Sequence, residues 1–207
     1  MRSRLFSSTV AVALAVALGA TLAAQAPQGG GGGGRGGGRG GAPAMVPMLL
    51  ESDAYADGAI VPAKYSNAGG STMPAFKITN IPMGTVSFAV IFHDIEPSIG
   101  NPPGDVLHAM FWNVPAASAG WPEGPQDGSK MPAGTVMGNN ITGKPIYMGP
   151  GAPAGPRYHH YIFEVYALNA NLDIPQTASR EDLFKAMAGG KVLAKAAYVG
   201  RFRGEAK

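Results

Sequence analysis

Residues 85–92 read TVSFAVIF, a run with scarcely a polar side chain on either face of an extended chain. Side chains alternate across a strand, so this segment must be covered on both sides. It therefore predicts a central, doubly buried strand, which requires neighbouring strands and covering layers. Two further segments supply neighbours: VLHAMFWNV (106–114) and YHHYIFEVYAL (158–168), both rich in aromatic and β-branched residues. KVLAKAAYVGRF (191–202) reads as a last strand or as a helix turning into one. Pro and Gly punctuate the chain between these runs. One helix signal stands out, SREDLFKAMAGG (179–190). Ser179 suits the N-cap with Asp182 three residues on, Leu183, Phe184 and Met187 form an apolar stripe, and Gly189-Gly190 stop it. There is no internal repeat. Many strands and one late helix predict a mainly β fold, a β-sandwich with a short C-terminal helix.

The first quarter of the chain has a different character. Arg2 and Arg4 precede VAVALAVALGATLAA (10–24), the layout of a secretory signal peptide over residues 1–24. The apolar stretch is short for a membrane span, and Pro27 sets the cut near Ala23 or Ala24. Residues 25–46 contain PQGGGGGGRGGGRGGAPA, a Gly-rich segment that cannot bury apolar area against its chain entropy and reads as a disordered linker. Residues 47–207 remain as one domain. The overall charge of +3 belongs to the leader and linker: residues 45–207 hold 12 Lys/Arg against 13 Asp/Glu. Nothing in that balance calls for a polyanion, and two arginines in a glycine tract are a weak footprint for nucleic acid. The expectation is an exported protein, periplasmic or extracellular, with no nucleic-acid partner and no stable membrane span after cleavage. The chain has no Cys, so neither disulfides nor thiolate chemistry enter.

All four histidines, His93, His108, His159 and His160, lie in or beside these apolar segments. Strict alternation puts His108 on the face of Met110 and Trp112, and His159 on the face of Tyr161 and Phe163, with His160 opposite. Asp94 and Glu96 fall just past the predicted end of the 85–92 strand. Polar groups at the ends of apolar strands are placed to line a pocket. A Gly/Pro loop, GPGAPAGP (149–156), directly precedes the His159 strand, and glycine lets backbone N–H groups approach a ligand. It is neither a P-loop nor a dinucleotide fingerprint.

These motifs resemble, in order, those of the phosphatidylethanolamine-binding protein family, in its prokaryotic Raf-kinase-inhibitor-like branch. HDIEPS (93–98) is similar to the family's Asp-Pro-Asp-Ala-Pro segment. VLHAMFWNVPA is similar to its His-containing strand, and GPGAPAGPRYHHYIFEVYAL to its Gly/Pro loop followed by His-Arg-Tyr. ESDAYADGAIVPAKYSNAG (51–69) and residues 179–202 add to the match, which spans about 48–204. The resemblance implies a Greek-key β-sandwich and an anion pocket built from Asp94, Pro97, His108, the backbone of Gly149 and Gly151, His159 and Tyr161, with Pro153 helping to shape it. The sequence departs from the family where Ile95 replaces a Pro, Glu96 an Asp, His160 an Arg and Ile78 a Trp.

The resulting expectation is a non-enzymatic binding protein for a phosphate-bearing ligand or phospholipid head group, without a cofactor and with the oligomeric state open, a homodimer included. Protonated histidines would supply the positive charge. Three other readings compete. A hydrolase would use Asp94 to orient His108 as a general base, but the chain has no G-x-S-x-G elbow and Ser98 is the one hydroxyl nearby. A metal site of Asp94, His108 and His159 lacks the usual ligand spacing, so no metal is assigned. Inhibition of a secreted protease is the fourth.

Overall fold

A computed structural model describes residues 46–99 and 104–205 of the 207-residue chain. The expected signal peptide (1–24), nearly all of the expected linker (25–46) and residues 100–103 lie outside the described residues. Among the described residues, eight strands form two antiparallel sheets. β1 (Leu49–Glu51), β2 (Phe76–Thr79) and β5 (Gly120–Trp121) make a small sheet in the order β1-β2-β5. β3 (Ser87–Ile99), β4 (Gly104–Pro115), β6 (Val136–Gly138), β7 (His159–Leu168) and β8 (Val192–Phe202) make a larger one in the order β6-β4-β3-β7-β8. Within it β3, β4 and β6 follow one another and β7 returns to the far side of β3, which is Greek-key connectivity.

β3 is central, as its double-sided apolarity requires. Phe88, Val90 and Phe92 point between the sheets, where they meet Phe76, Phe111, Trp121 and Phe163; the Phe92 and Phe163 rings stack at 4.0 Å. Ala89 and Ile91 point the other way, into a second core with Met110, Trp112 and Leu168. That second core is closed by α1 (Arg180–Met187), through Leu183 and Met187. The helix starts with a capping box: Ser179 Oγ accepts from the Asp182 N–H, and the Asp182 carboxylate accepts from the Ser179 N–H. Its apolar stripe is narrower than expected. Phe184 is 44% exposed, its ring edge-to-face with Tyr166, because the stripe that reaches the sheet is set by Leu183 and Met187, four residues apart.

Two departures from regular alternation decide the site. β3 does not end at Phe92: it continues to Ile99, so Asp94 and Glu96 lie within the strand, and Asp94 pairs with Val106 and Tyr161. β4 carries an extra residue. Between Phe92 and His93 of β3 its partners step from Ala109 to Leu107, which leaves His108 in a bulge. A bulge shifts the faces of the residues beyond it. His108 therefore leaves the face of Met110 and Trp112 and turns towards Phe92 and Tyr161, with ring centroids at 5.6 and 5.1 Å.

Candidate binding site

The site is at one end of the larger sheet, where β3, β4 and β7 meet the Gly/Pro loop. Tyr161, inward-facing on β7 and 1% exposed, anchors that loop: its hydroxyl oxygen accepts from the Gly151 N–H at 3.2 Å and the Ala152 N–H at 2.9 Å. Burial, followed by the charge of Asp94, pushes the Tyr161 phenol far above its ordinary pKa, so it stays protonated. His159 stacks beside Tyr161 and its Nδ1 lies 2.8 Å from Asp94 Oδ2. Asp94 is almost wholly buried; its other oxygen accepts the Glu96 backbone N–H at 3.1 Å. His159 keeps 23% of its side chain exposed.

His108 donates from Nδ1 to the Met148 carbonyl at 2.8 Å. The ring is 4% exposed, and burial pulls its pKa below the ordinary histidine value, against the opposing pull of the Met148 carbonyl and the Asp94 charge. The Asp94–His108 pair on which the competing hydrolase reading rests is not formed: the carboxylate holds His159, and a backbone carbonyl holds His108.

The glycine backbone plays a different part from the one expected of it. Gly149 donates its N–H to Ser71 Oγ at 3.0 Å, and the Gly151 N–H is taken by Tyr161, so both donors serve the protein. Gly149 is required for close approach instead: a Cβ there would sit 2.3 Å from the Tyr65 carbonyl oxygen. Pro97 is half-buried within β3, and Pro153 is exposed in the loop. Residues 154–156 of the same loop line a separate groove of about 1020 Å³ with Ile60, Pro62, Tyr158, Phe202 and Arg203.

Sequence reasoning missed the pairing of Glu96 with His160. The Glu96 carboxylate accepts from the His160 backbone N–H and faces its Nδ1, both at 2.6 Å. Burial opposes ionisation of Glu96, but the His160 ring and N–H outweigh it and hold the carboxyl below the usual range. Both residues stand where the sequence departs from the family pattern, and two departures that fit each other were the available signal. His93 turns to the opposite face, where its Nδ1 meets Asp105, which also binds Arg180 at the start of α1 at 2.5 Å.

The described residues thus form an antiparallel two-sheet β-sandwich with one acid, two histidines and a tyrosine gathered at one end of the larger sheet. The phosphatidylethanolamine-binding protein profile matches residues 51–203, and the chain belongs to that family. A UPF0098 protein of Methanothermobacter thermautotrophicus is 34% identical over 157 residues, 75% of this chain and 99% of the relative. Among solved structures, Escherichia coli YbcL, described as a new member of the mammalian PEBP family, superposes with a TM-score of 0.69 at 26% identity, covering 77% of this chain and 100% of that one. CT736 of Chlamydia trachomatis, described as a PEBP homologue, gives 0.66 at 27% identity, covering 77% and 99%.

Proposed function

We propose that this chain is an exported, non-enzymatic binding protein whose pocket takes a phosphate-bearing ligand of the phospholipid head-group type. One observation carries the reading: the partly exposed His159 is backed by the buried Asp94 carboxylate at 2.8 Å. The Asp94 carboxylate fixes the ring through Nδ1, and the ring's other nitrogen is the group we assign to the ligand. His108 lines the same pocket. Its depressed pKa keeps it neutral near pH 7, so its contribution as a cation grows only on acidification below about 6.5. Export is supported by the Arg2/Arg4 and apolar pattern of residues 1–24. Among the described residues no helix is long and apolar enough to cross a membrane.

Calorimetric titration with inorganic phosphate and with phosphoethanolamine, at pH 8 and pH 6, tests the pocket. The wild type should bind both ligands, and His159→Gln should weaken both at either pH, because it lacks the imidazole that Asp94 holds. The ligand's own titration is common to both proteins and cancels in the comparison. Binding by neither ligand, or equal affinities for wild type and variant at pH 6, would overturn the reading.

A further inference from the structure

The groove beside residues 154–156 has a construction of its own. None of Asp94, His108, His159 and Tyr161 lines it. The end of β8 runs between two segments that bridge to it: Ile60 pairs with Arg201, and Ala154 with Gly204. Backbone hydrogen bonds hold both segments, from the Val61 N–H to the Arg201 carbonyl at 2.8 Å and from the Gly204 N–H to the Ala152 carbonyl at 2.9 Å. The groove is therefore set by the backbone, and a preformed site spares a ligand the entropy of ordering its walls. Its volume of about 1020 Å³ suits a small molecule, and its lining is chiefly apolar with few polar groups, as such sites are. Ile60, Pro62, Pro156 and Phe202 supply much of that apolar surface, and Ile60 is left 53% exposed.

Two guanidiniums stand against this apolar surface. Arg203 lies 4.6 Å from the centroid of the Tyr158 ring and Arg201 lies 5.8 Å from it. Backbone carbonyls aim both: Arg203 Nη1 donates to Gly155 at 3.1 Å, and Arg201 Nε to Gly58 at 2.7 Å. A guanidinium has five N–H donors in a planar fork that matches a carboxylate, so each arginine keeps donors beyond these bonds. Among the described residues neither arginine is paired with an acid. Glu205, the one acid on the lining, is exposed, so solvent screens it. Residues 45–207 hold 12 Lys/Arg against 13 Asp/Glu, so two cations gathered on one aromatic ring are a local feature and attract an anion locally.

We propose that this groove binds a small amphipathic carboxylate, with its apolar body along Ile60, Pro62 and Phe202 and its acid group at Arg203. Arg201 adds charge from the same side of the molecule, and Tyr158 holds the two guanidiniums by cation–π contact. The body is an alkyl chain or an aromatic ring system, since either presents the apolar area that the groove covers.

Decanoate and 2-naphthoate are the probes, one alkyl and one aromatic, each compared with the matching alcohol by calorimetric titration of the purified protein. The expected result is one molecule of at least one carboxylate per chain, bound about tenfold more tightly than its alcohol. Whichever probe binds identifies the body. Arg203→Gln should weaken the carboxylate about tenfold and leave the alcohol unchanged, whereas Ile60→Ser should weaken both about fivefold. Thermal midpoints show that each variant has folded, and the acid–alcohol comparison on the wild type needs no variant. Saturating phosphoethanolamine should not displace the carboxylate, because the groove is separate from the sheet-end site. Binding of neither carboxylate, alcohols as tight as their acids, equal carboxylate affinity in wild type, Arg203→Gln and Ile60→Ser, or displacement by phosphoethanolamine would overturn the proposal.

Discussion

Replacing Gly149 by Ala adds one methyl group to the loop that closes the site. The new Cβ would lie 2.3 Å from the Tyr65 carbonyl oxygen, 2.6 Å from the Ser66 carbonyl carbon and 2.8 Å from the Asn67 nitrogen. All three are backbone atoms, so no side chain can swing aside. That backbone is also tied down: the Ser66 N–H donates to the Ala63 carbonyl at 3.0 Å and the Asn67 N–H to the Pro150 carbonyl at 2.9 Å. Relief needs a displacement of about 1 Å of one segment or the other. Overpacking of this kind costs about 1–3 kcal/mol, and the absence of a flexible neighbour puts this case at the upper end. For a domain of this size each kcal/mol lowers the thermal midpoint by about 2–4 °C, so the expected loss is roughly 6–12 °C. Gly151 is the internal control. A Cβ there meets Asn67 Cβ at 3.6 Å, an ordinary contact. Gly151→Ala should leave the midpoint unchanged or raise it slightly, since alanine restricts the unfolded chain by about 0.4–1 kcal/mol. Scanning calorimetry of both variants, with urea denaturation to obtain free energies, decides the matter. A Gly149→Ala midpoint within 2 °C of wild type, or equal losses at the two positions, would refute the packing of this loop on residues 65–67.

Tyr161→Phe should cost about 1–3 kcal/mol in urea denaturation, because the Gly151 and Ala152 N–H groups lose their acceptor; an unchanged midpoint would show that water replaces it. Asp105→Asn tests the tie between β4 and α1. Burial opposes the charge on Asp105, but Arg180 and His93 outweigh it and hold its pKa below the ordinary value. Its stabilisation is thus fully present above the unfolded value of about 3.9 and is lost as pH falls through the lower folded value, so the stability gap between wild type and variant should be full at pH 7 and close on acidification below about pH 4. For His108 the folded state favours the neutral ring, because burial lowers its pKa. Its NMR titration midpoint should fall below about 6.5, and wild-type stability relative to His108→Gln should be full above that pH and shrink as pH drops towards the folded midpoint.

The legible part of this protein was the part written in local pattern. TVSFAVIF could be covered on both faces only at the centre of a sheet, and β3 is there, with a core on each side. The Ser179–Asp182 capping box and the shared face of His159, Tyr161 and Phe163 also follow from spacing alone, because cap geometry and strand alternation are properties of a few consecutive residues. What spacing could not decide was wherever the ladder breaks or a partner comes from a distant segment. The bulge at His108 depends on how β4 is registered against β3, and it moves the ring from the helix-covered face to the site. Asp94 joins His159 instead of His108 because a carbonyl forty residues away, that of Met148, takes the His108 proton. The Gly149 and Gly151 N–H groups are claimed by Ser71 and Tyr161, and Glu96 finds His160 across 64 residues. Hydrogen-bond ownership is settled by which backbone arrives nearby, and that is fixed only when the sheets and loops have packed.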